Sequence, residues 1–448
     1  MVSKWPECRL EELAEPKGGS IAIGPFGSRL KAESYVNDGV AVIRGTNLGP
    51  GTPLVGEFVY ITPEKASELG NANLKASDLV FPHRGAIGEV GIVPNDGRPY
   101  VLSTSLMKIS LDQARAIPEF YYLFFKSSRG QAELLKNASQ VGTPGIATPL
   151  KSLRQCVVPC PTMEEQFDAV DALLSIDSRI KNLRQTNAIL EAIAQALFKS
   201  WFVDFDPVRA KAEGREPEGM DAATTALFPS EFEDSELGPI PKGWRVDEIG
   251  RVVACVGGAT PSTKEESFWI DGTHHWATPK DLSGLQAPIL TTTERLITDT
   301  AVARISSALL PAGTLLMSSR APIGYLAIAA VPTAINQGFI AMPPGGQLPP
   351  SYLLFWARLN MELIKQKGNG STFMEISKAA FRPIKVCVPS PQAIAAFEII
   401  TGPLLKRIEL NEYHAAALTQ ARDTLLPRLI SGKLRLPEAE RETEAALA

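Results

Sequence analysis

The feature that most constrains this chain of 448 residues is an internal repeat. Similar residues recur in the same order over two long stretches, and the offset between the copies shrinks slowly, as small deletions in the second copy would produce. The aligned positions are Trp5 with Trp244, Gly18-Gly19 with Gly257-Gly258, Arg84 with Arg320, and Pro159-Cys160-Pro161 with Pro389-Ser390-Pro391. Two units of this length indicate domain duplication rather than a solenoid of short repeats.

Each copy begins with about 160 residues rich in glycine and proline, and ends in a long helix. The first part contains short apolar runs typical of strands, separated by turn residues. These runs are Val40–Ile43, Asp78–Phe81, Gly313–Met317 and Ile384–Val388. Helical patterns cover 118–136 and 349–366. The sequence therefore predicts an α+β chain with two mixed α/β domains.

The helical part of each copy carries apolar residues at alternating steps of three and four, the pattern of a coiled coil. One polar residue, an asparagine, interrupts each stripe near its middle. The first stripe is Leu173, Ile176, Ile180, Leu183, Asn187, Leu190, Ala194 and Leu197. The second is Leu404, Ile408, Asn411, Ala415, Leu418, Arg422 and Leu425.

An antiparallel pairing with Asn187 opposite Asn411 gives every large seam residue an apolar partner. A buried asparagine pair sets register, because a slipped alignment leaves each amide without a partner. We therefore expect Asn187 and Asn411 to fix the register of an antiparallel coiled coil. The alternative is that each stripe packs on its own globule. A helix of about 35 residues is about 50 Å long, which would separate two DNA-binding globules by about 15 base pairs.

Charge and cysteine content limit the class of protein. The net charge is −4, but the acidic excess is concentrated in 203–250, while 1–160 and 251–390 are mildly basic. A DNA-binding face on either large block is therefore permitted. The five cysteines lack zinc-finger spacing, and we expect Cys156 and Cys160 to be buried thiols rather than metal ligands. No apolar run reaches the length of a membrane span, and 1–7 lacks the apolar run of a signal peptide, so we expect a cytoplasmic protein.

Several long motifs, in order, carry a resemblance to type I restriction–modification specificity subunits. They are Gly24–Ser28, Leu197–Val208, the connector end Leu237–Trp244, and Leu425–Leu434. The resemblance covers essentially the whole chain. It implies two target-recognition domains, each reading one half of a bipartite asymmetric double-stranded DNA target. It also implies partners: two methyltransferase subunits docked on the helices, and restriction–translocase subunits.

The repeat and the resemblance together predict the domain boundaries. These are target-recognition domain 1 over 1–161, helix 1 over 162–202, an acidic connector over 203–243, target-recognition domain 2 over 244–390, helix 2 over 391–432, and a C-terminal tail over 433–448. Two other readings stay open. One is an interaction scaffold without a DNA role, and the other is a stand-alone protein that binds bipartite DNA without enzyme partners.

Motifs for catalysis are missing from the sequence. There is no Asn/Asp-Pro-Pro-Tyr/Phe motif for adenine methylation, no phosphate-binding loop and no nuclease cluster of carboxylates and lysine. Four histidines offer little for acid–base or metal chemistry. We expect no catalytic residues, no cofactor and no metal site.

Candidates for DNA contact are polar residues on glycine-rich loops, because base edges are read by hydrogen-bonding side chains. In the first copy they are Ser28, Arg29, Lys31, Arg44, Asn47, His83, Arg84 and Thr143. In the second they are Thr260, Ser262, Lys264, Lys280, Ser319, Arg320, Asn336, Gln337, Asn369 and Ser371. Because Arg84 and Arg320 correspond, we expect them to share one duty, such as a phosphate contact or a structural hydrogen bond.

Three aromatic residues follow the first helical stripe: Trp201, Phe202 and Phe205. They are interpreted in two ways, as a cap on the helix core or as part of an apolar surface for a methyltransferase. Aromatic anchors dominate protein interfaces, which keeps the second interpretation open.

Overall fold

The computed structural model of the chain describes residues 5–26, 29–49, 54, 56–139, 144–370, 374–434 and 444. The chain divides into two compact units, residues 1–179 with 417–448, and residues 180–416. Each unit contains the globule of one repeat and a part of both long helices. The predicted class, two mixed α/β domains with two long helices, is confirmed.

The first globule is built from short strands and short helices, several of which begin with proline, where the absent N–H is not needed. Its strands are β1 (Glu7–Arg9), β2 (Ile21–Ile23), β3 (Val40–Ile43), β4 (Val59–Ile61), β5 (Asn73–Leu74), β6 (Leu79–Pro82), β7 (Gly91–Ile92), β8 (Tyr100–Leu102), β9 (Leu106–Ile109), β10 (Ala138–Ser139), β11 (Gly145–Ile146) and β12 (Val157–Pro159). Its helices are α1 (Pro63–Glu68), α2 (Pro118–Lys126), α3 (Ser128–Leu135) and α4 (Pro149–Arg154), followed by the long α5 (Met163–Phe202).

Two four-stranded sheets form this globule, in the orders β2-β9-β6-β7 and β4-β3-β8-β5. All residues of β3, β6 and β9 are buried, which explains why β3 and β6 are apolar runs rather than alternating patterns. β1 pairs with β12, so the two ends of the globule lie side by side. The predicted helix over 118–136 is broken at Ser127, whose extended backbone ends α2 and whose hydroxyl oxygen caps α3.

The second unit repeats this plan with different loops. After α6 (Asp206–Ala212) and α7 (Ala222–Thr225), its strands are β13 (Phe232–Glu233), β14 (Ile240–Pro241), β15 (Arg245–Glu248), β16 (His274–Ala277), β17 (Ile289–Leu290), β18 (Arg295–Ile297), β19 (Leu315–Ser319), β20 (Ile323–Ala329), β21 (Thr333–Ile335), β22 (Phe339–Met342) and β23 (Lys385–Val388). Its remaining helices are α8 (Ile249–Val252), α9 (Pro279–Ser283), α10 (Asp299–Val302), α11 (Pro350–Leu359), α12 (Met361–Gln366), α13 (Lys378–Phe381) and the long α14 (Pro391–Ile430).

Strand pairings show that the two globules are copies. β15 pairs with β23 as β1 does with β12, and β19 pairs with β22 as β6 does with β9. The pairing of β16 with β21 is parallel, like that of β3 with β8. The register of β22 against β19 aligns Arg320 with Arg84. The duplication inferred from sequence is therefore a duplication of topology.

The structure corrects one position in the sequence alignment of the copies. Gly24 passes close to the Ser103 carbonyl, just beyond the end of β8. Gly258 passes close to the Ile335 carbonyl at the end of β21, which is the counterpart of β8. Gly24 therefore corresponds to Gly258, whereas the sequence alone had aligned Gly258 with Gly19. The segment from the end of β1 to Gly24 is longer than the segment from the end of β15 to Gly258, which explains the slip.

The long helices α5 and α14 pair antiparallel. Within the second unit, the Asn411 amide nitrogen donates to the Asn187 carbonyl oxygen at 2.8 Å, and both side chains are buried. Within the first unit, the Arg422 guanidinium donates to Asp177 at 2.8 Å. Asp177 precedes Asn187 along α5, whereas its partner Arg422 follows Asn411 along α14. The two helices therefore run in opposite directions, as an antiparallel coiled coil requires.

The helix seam also packs on the globule of the second unit. Ala194 and Ile408 belong to one apolar cluster that includes globule residues such as Tyr352 and Phe381. The alternative interpretation, in which each stripe packs on a globule, therefore holds in part. One stretch of helix serves both contacts, because its apolar face is wider than a two-stranded seam.

The two aromatic residues that end α5 belong to the core. Trp201 and Phe202 are 4% and 5% exposed and pack against Phe397 of α14 and aromatic residues of the connector and globule. Phe205 packs edge-on against Trp244. Side chains this deeply buried are not available to a partner, so the docking interpretation of Trp201 and Phe202 is wrong.

The expectation that Cys160 is a free, buried thiol is wrong, because the pairing of β1 with β12 brings it close to a second cysteine. Cys8 and Cys160 form a disulfide with their Cα atoms 6.2 Å apart, because the pairing of these strands places them side by side. Cys156 is a buried thiol as predicted, and burial raises its pKa to about 12. Cys160 is therefore not a free thiol.

Candidate nucleic-acid interface

In the first globule, the loops after three strands converge on the turn 103–105 between β8 and β9. The first residue of the turn donates its N–H to the Ile43 carbonyl at 3.0 Å, and the last accepts from the His83 N–H at 2.9 Å. Gly24 donates to the Leu106 carbonyl, one residue beyond the turn, at 2.8 Å. The loops after β2, β3 and β6 therefore meet at one edge of the globule.

The loop before α4 joins this edge through the backbone. The His83 carbonyl accepts from the Ile146 N–H at 2.9 Å, and Arg84 forms a bridge with Gly145. The His83 ring nitrogen Nε2 lies 3.1 Å from the Thr104 carbonyl oxygen, so it carries the proton. We call residues 24–26, 44, 83–84, 103–105 and 144–146 the first rim.

The second globule has the same arrangement around the turn 336–338. Asn336 donates its N–H to the Ala277 carbonyl at 3.0 Å, and the Ser319 N–H donates to the Gly338 carbonyl at 2.8 Å. The Ser319 carbonyl accepts from the Ile376 N–H at 2.9 Å. These contacts have the same order as in the first globule.

The loop before β16 completes this edge. Ala259 donates its N–H to the Ile335 carbonyl at 3.0 Å, and the Thr260 hydroxyl donates to the Gln337 amide oxygen at 2.5 Å. We call residues 258–260, 278–280, 319–320, 336–338 and 375–376 the second rim.

Two glycines allow the close approach on which each rim depends. A Cβ on Gly24 would lie 1.8 Å from the Ser103 carbonyl oxygen, and one on Gly258 would lie 1.9 Å from the Ile335 carbonyl oxygen. Both obstacles are backbone atoms, which cannot turn away as a side chain would. A glycine in an otherwise strand-like segment often marks such an approach.

The two rims expose hydrogen-bonding groups of the kind that read base edges. Arg84 and Gln337 are exposed and Asn336 is half-buried. Arginine matches guanine, and asparagine or glutamine matches adenine, in the major groove. Loops carried on buried strands hold such side chains at defined positions. The arrangement suits recognition of base edges.

Among the first-copy candidates, the basic residues are exposed or half-buried, whereas Asn47 is buried. Arg29 is exposed and donates to the Glu68 carbonyl at 2.9 Å, Lys31 is exposed, and Arg44 donates to the Glu57 carbonyl at 3.1 Å. Asn47 is 1% exposed, and its amide bonds the backbone of Arg44 and Glu57. The expectation that Asn47 contacts DNA is therefore wrong, because it closes a turn. Ser28 and Thr143 lie outside the described residues.

Among second-copy candidates, Thr260, Arg320, Asn336 and Gln337 meet at the second rim. Ser319 also lies there, but it is 3% exposed, so its expected contact with DNA is wrong and its role is in the backbone ladder. Asn369 is exposed beside the rim and pairs with Glu375. Ser371 lies outside the described residues.

Of the remaining second-copy candidates, Ser262 and Lys264 lie on a neighbouring loop, and Lys280 lies at the second rim. Ser262 and Lys264 are exposed, and the Ser262 carbonyl accepts from the Trp269 indole at 3.0 Å. Lys280 is exposed and paired with Glu294 at 2.7 Å, which raises the pKa of the lysine. These side chains are available at the surface without being part of the converging turn.

Sequence reasoning missed two exposed rim residues. Phe26 is 72% exposed within the Gly24–Ser28 motif, and Glu375 pairs with Arg320. The motif itself signalled Phe26, since an aromatic between glycine and proline has no strand or helix to bury it. Nothing in the sequence signalled Glu375, because its partner lies 55 residues away.

Burial lowers the pKa of His83 below its ordinary value of 6.5, and burial does the same for His275. Both rings are therefore neutral at neutral pH, and neither adds positive charge to the surface. Among the described residues, no group of three or more histidine, cysteine, aspartate or glutamate side chains is arranged to hold a metal ion. Nor does any helix in the described part of the chain have the length and apolarity to cross a membrane.

Comparison with known proteins agrees with this arrangement. The family model for the type I restriction modification DNA specificity domain matches residues 3–192 and 241–409, one match for each copy. The chain is 27% identical over 434 residues to the specificity subunit of the type I restriction enzyme HindI from Haemophilus influenzae, covering 86% of this chain and 94% of the relative. A second relative, the specificity subunit of type I restriction enzyme MjaIX from Methanocaldococcus jannaschii, is 39% identical over 165 residues, covering 36% of this chain and 38% of its own length.

The fold is shared with a solved S subunit. The crystal structure of the type I restriction-modification system S subunit from M. genitalium superposes with a TM-score of 0.57 at 15% identity, covering 95% of this chain and 96% of that one. This chain belongs to the family of type I restriction–modification DNA specificity proteins, the non-catalytic DNA-recognition subunits of those systems.

Proposed function

We propose that this subunit reads a bipartite, asymmetric double-stranded DNA target, with each rim contacting one half. The observation that carries the proposal is the recurrence of one backbone arrangement with different exposed side chains. A shared scaffold with different readout groups suits two different half-sites. The boundaries that follow are 1–161 and 244–390 for the target-recognition domains, joined through 162–202, 203–243 and 391–432.

We also propose that the helices recruit two adenine-N6 methyltransferase subunits, with restriction subunits joining the complex. Apolar side chains on the outer faces of the helices support this. Ile189 and Ile193 of α5 are 61% and 49% exposed, and Ile399 of α14 is 74% exposed. Large apolar residues one helical turn apart, such as Ile189 and Ile193, form a stripe on which a partner helix packs. With these partners, we place the protein in the cytoplasm.

The test is a methylome of cells that produce this chain with its cognate methyltransferase. We expect N6-methyladenine at one bipartite motif. Exchange of residues 1–161 for those of another family member then changes one half of the motif and leaves the other half and the spacer unchanged. A change in both halves would contradict the assignment of one half-site to each domain.

The methylome together with a DNA-retardation assay of the purified complex separates the competing interpretations. A chain that binds bipartite DNA without a methyltransferase would bind the duplex alone and give no methylation. A scaffold without a DNA role would neither retard DNA nor lose affinity with rising salt.

A further inference from the structure

The two rims differ in charge at one corresponding position. Arg84 and Arg320 each follow the central strand of their globule, and the backbone of each forms a bridge with the loop that returns before the last helix of the globule. The bridge partner is Gly145 in the first rim and Glu375 in the second. The position that is a glycine beside one arginine is therefore a carboxylate beside the other.

Glu375 is held next to Arg320 by the backbone. Its N–H donates to the Asn369 carbonyl, and its carbonyl accepts from the Asn369 N–H, both at 2.9 Å. The Glu375 carboxylate oxygen Oε2 lies 3.7 Å from the Arg320 nitrogen Nη1. The only described basic side chain that also lines the adjoining recess is Lys365, and it pairs with Glu362 at 2.8 Å. The arginine and the glutamate thus form a unit of zero net charge.

Arg84 has no such companion. Its side chain is exposed, and no carboxylate lies within 4.0 Å of it among the residues that the structure describes. The stretch 140–143, next to Gly145, contains no acidic residue in the sequence. His83 beside it is held neutral by burial. The first rim therefore presents one uncompensated positive charge at this point.

This difference matters for DNA because phosphate attraction follows net charge. An exposed ion pair contributes little stability by itself, so Arg320 can exchange Glu375 for a phosphate. The fixed carboxylate nevertheless stays within a Debye length of about 10 Å and offsets the gain. Each phosphate neutralised by a protein cation releases counterions. Log affinity then falls more steeply with log salt, and the magnitude of the slope grows by about 0.9.

We propose that the corresponding arginines have diverged: Arg84 is a phosphate contact, while Glu375 cancels the contribution of Arg320. The inference rests on the proposed DNA-binding function. The first rim then supplies more of the salt-dependent attraction, and the second depends more on contacts that match particular bases. The expectation of one shared duty for the two arginines is replaced by this division.

The experiment measures equilibrium binding of the complete subunit–methyltransferase complex to a duplex that carries its target, from about 50 to 200 mM salt. The variants are Arg84→Ala, Glu375→Gln and the double variant Arg320→Ala with Glu375→Ala. Arg98→Ala is the control, since Arg98 is an exposed arginine of the first globule outside the rim and lies 3.6 Å from Asp96. Glu375→Gln keeps the backbone bridge and the shape of the side chain.

We expect the magnitude of the salt slope to decrease by about 0.9 for Arg84→Ala and to increase by about 0.9 for Glu375→Gln. The double variant and Arg98→Ala should match the wild type. A double variant whose slope falls as much as that of Arg84→Ala would overturn the inference, as would an unchanged slope for Arg84→Ala or Glu375→Gln. If the wild-type complex binds no duplex at all, the proposed function itself fails. If it binds but the slopes do not separate, only this inference fails.

Discussion

Gly24 and Gly258 pass so close to a neighbouring carbonyl oxygen that no side chain fits there. The requirement comes from contact with a distant turn and not from a left-handed backbone, since neither glycine has a positive φ. At the scale of single residues, the rims are thus shaped by two glycines and by the turns that they cross.

We predict that Gly24→Ala weakens the first rim and that Gly258→Ala weakens the second. The added methyl group must displace backbone, which costs about 1–3 kcal/mol of stability. Thermal unfolding and affinity for duplexes altered in one half-site would measure the effect. Gly45→Ala is the control, because nothing lies within 4 Å of its added Cβ. Equal loss of affinity for both half-sites from either single variant would contradict the prediction.

One ion pair is buried in the first globule. Lys108 donates to Asp78 at 2.8 Å, the side chains are 5% and 2% exposed, and the Ser110 hydroxyl donates to the second carboxylate oxygen at 2.5 Å. At the corresponding positions the second globule has Thr314 and Ala341. The same strand pairing is therefore stable with a neutral pair.

Asp78→Ala should lower the free energy of unfolding by about 3–5 kcal/mol, because it leaves the buried Lys108 charge without a carboxylate. The Asn73 carbonyl, which accepts from the Lys108 ammonium at 2.9 Å, does not neutralise that charge. The double variant Asp78→Thr with Lys108→Ala copies the second globule and should recover most of that loss. Denaturant unfolding of the three proteins gives the comparison. A double variant less stable than Asp78→Ala would show that the pair stabilises the fold in its own right.

At the scale of elements, α5 and α14 use their apolar faces for two contacts, with each other and with the globule of the second unit. Their seam holds the Asn187–Asn411 pair, and Asn187 also donates to Glu412 at 2.7 Å. The side-chain amide oxygen Oδ1 of Asn411 is buried without a hydrogen-bond partner among the described residues. We propose that this arrangement, which leaves one polar atom unsatisfied, sets the register of the helices at a cost in stability.

Replacing both asparagines with leucine should raise the free energy of unfolding, since two buried amides are exchanged for apolar contact. Asn411→Leu alone should lie about 1–3 kcal/mol below the double variant, because Asn187 loses its donor. Denaturant unfolding measures both values. If the single variant were the more stable of the two, the Asn187 amide would not depend on Asn411.

The outer face of α5 yields a second prediction at this scale. Ile189→Lys with Ile193→Lys should leave stability within about 0.5 kcal/mol, because both residues are exposed. It should weaken binding of the methyltransferase by at least tenfold, since a desolvated apolar anchor is replaced by charge. Titration of labelled methyltransferase measures the affinity. Gln185→Lys, also exposed on α5, is the matched control, and equal affinities for the two variants would exclude this face as the docking site.

At the scale of the whole molecule, the order of the parts repeats: globule, helix, globule, helix. Each long helix has 40 residues and is therefore about 60 Å long. The proposed function makes the helices the spacer between two DNA-reading domains. Helix length then determines how many unread base pairs the target contains.

Inserting one heptad into α5 and one into α14 on the same side of the asparagine pair preserves the seam and lengthens each helix by about 10 Å. We expect the methylated motif to keep both half-sites and to gain about three base pairs of spacer. Methylome sequencing reads the result directly. A heptad in α5 alone serves as the control, because it places seam residues out of register and should abolish methylation. An unchanged spacer in the doubly extended protein would separate helix length from target spacing.

The sequence alone determined the duplication, the two long helices and the family, because these depend on periodicity and motifs that each segment carries locally. It also pointed to the polar loops as the sites of recognition. It did not determine which loop residues are available: Asn47 and Ser319 are buried, Cys160 is joined to Cys8, and Glu375 lies beside Arg320. Tertiary structure decided these points, because burial and net charge at a side chain depend on residues that are distant along the chain.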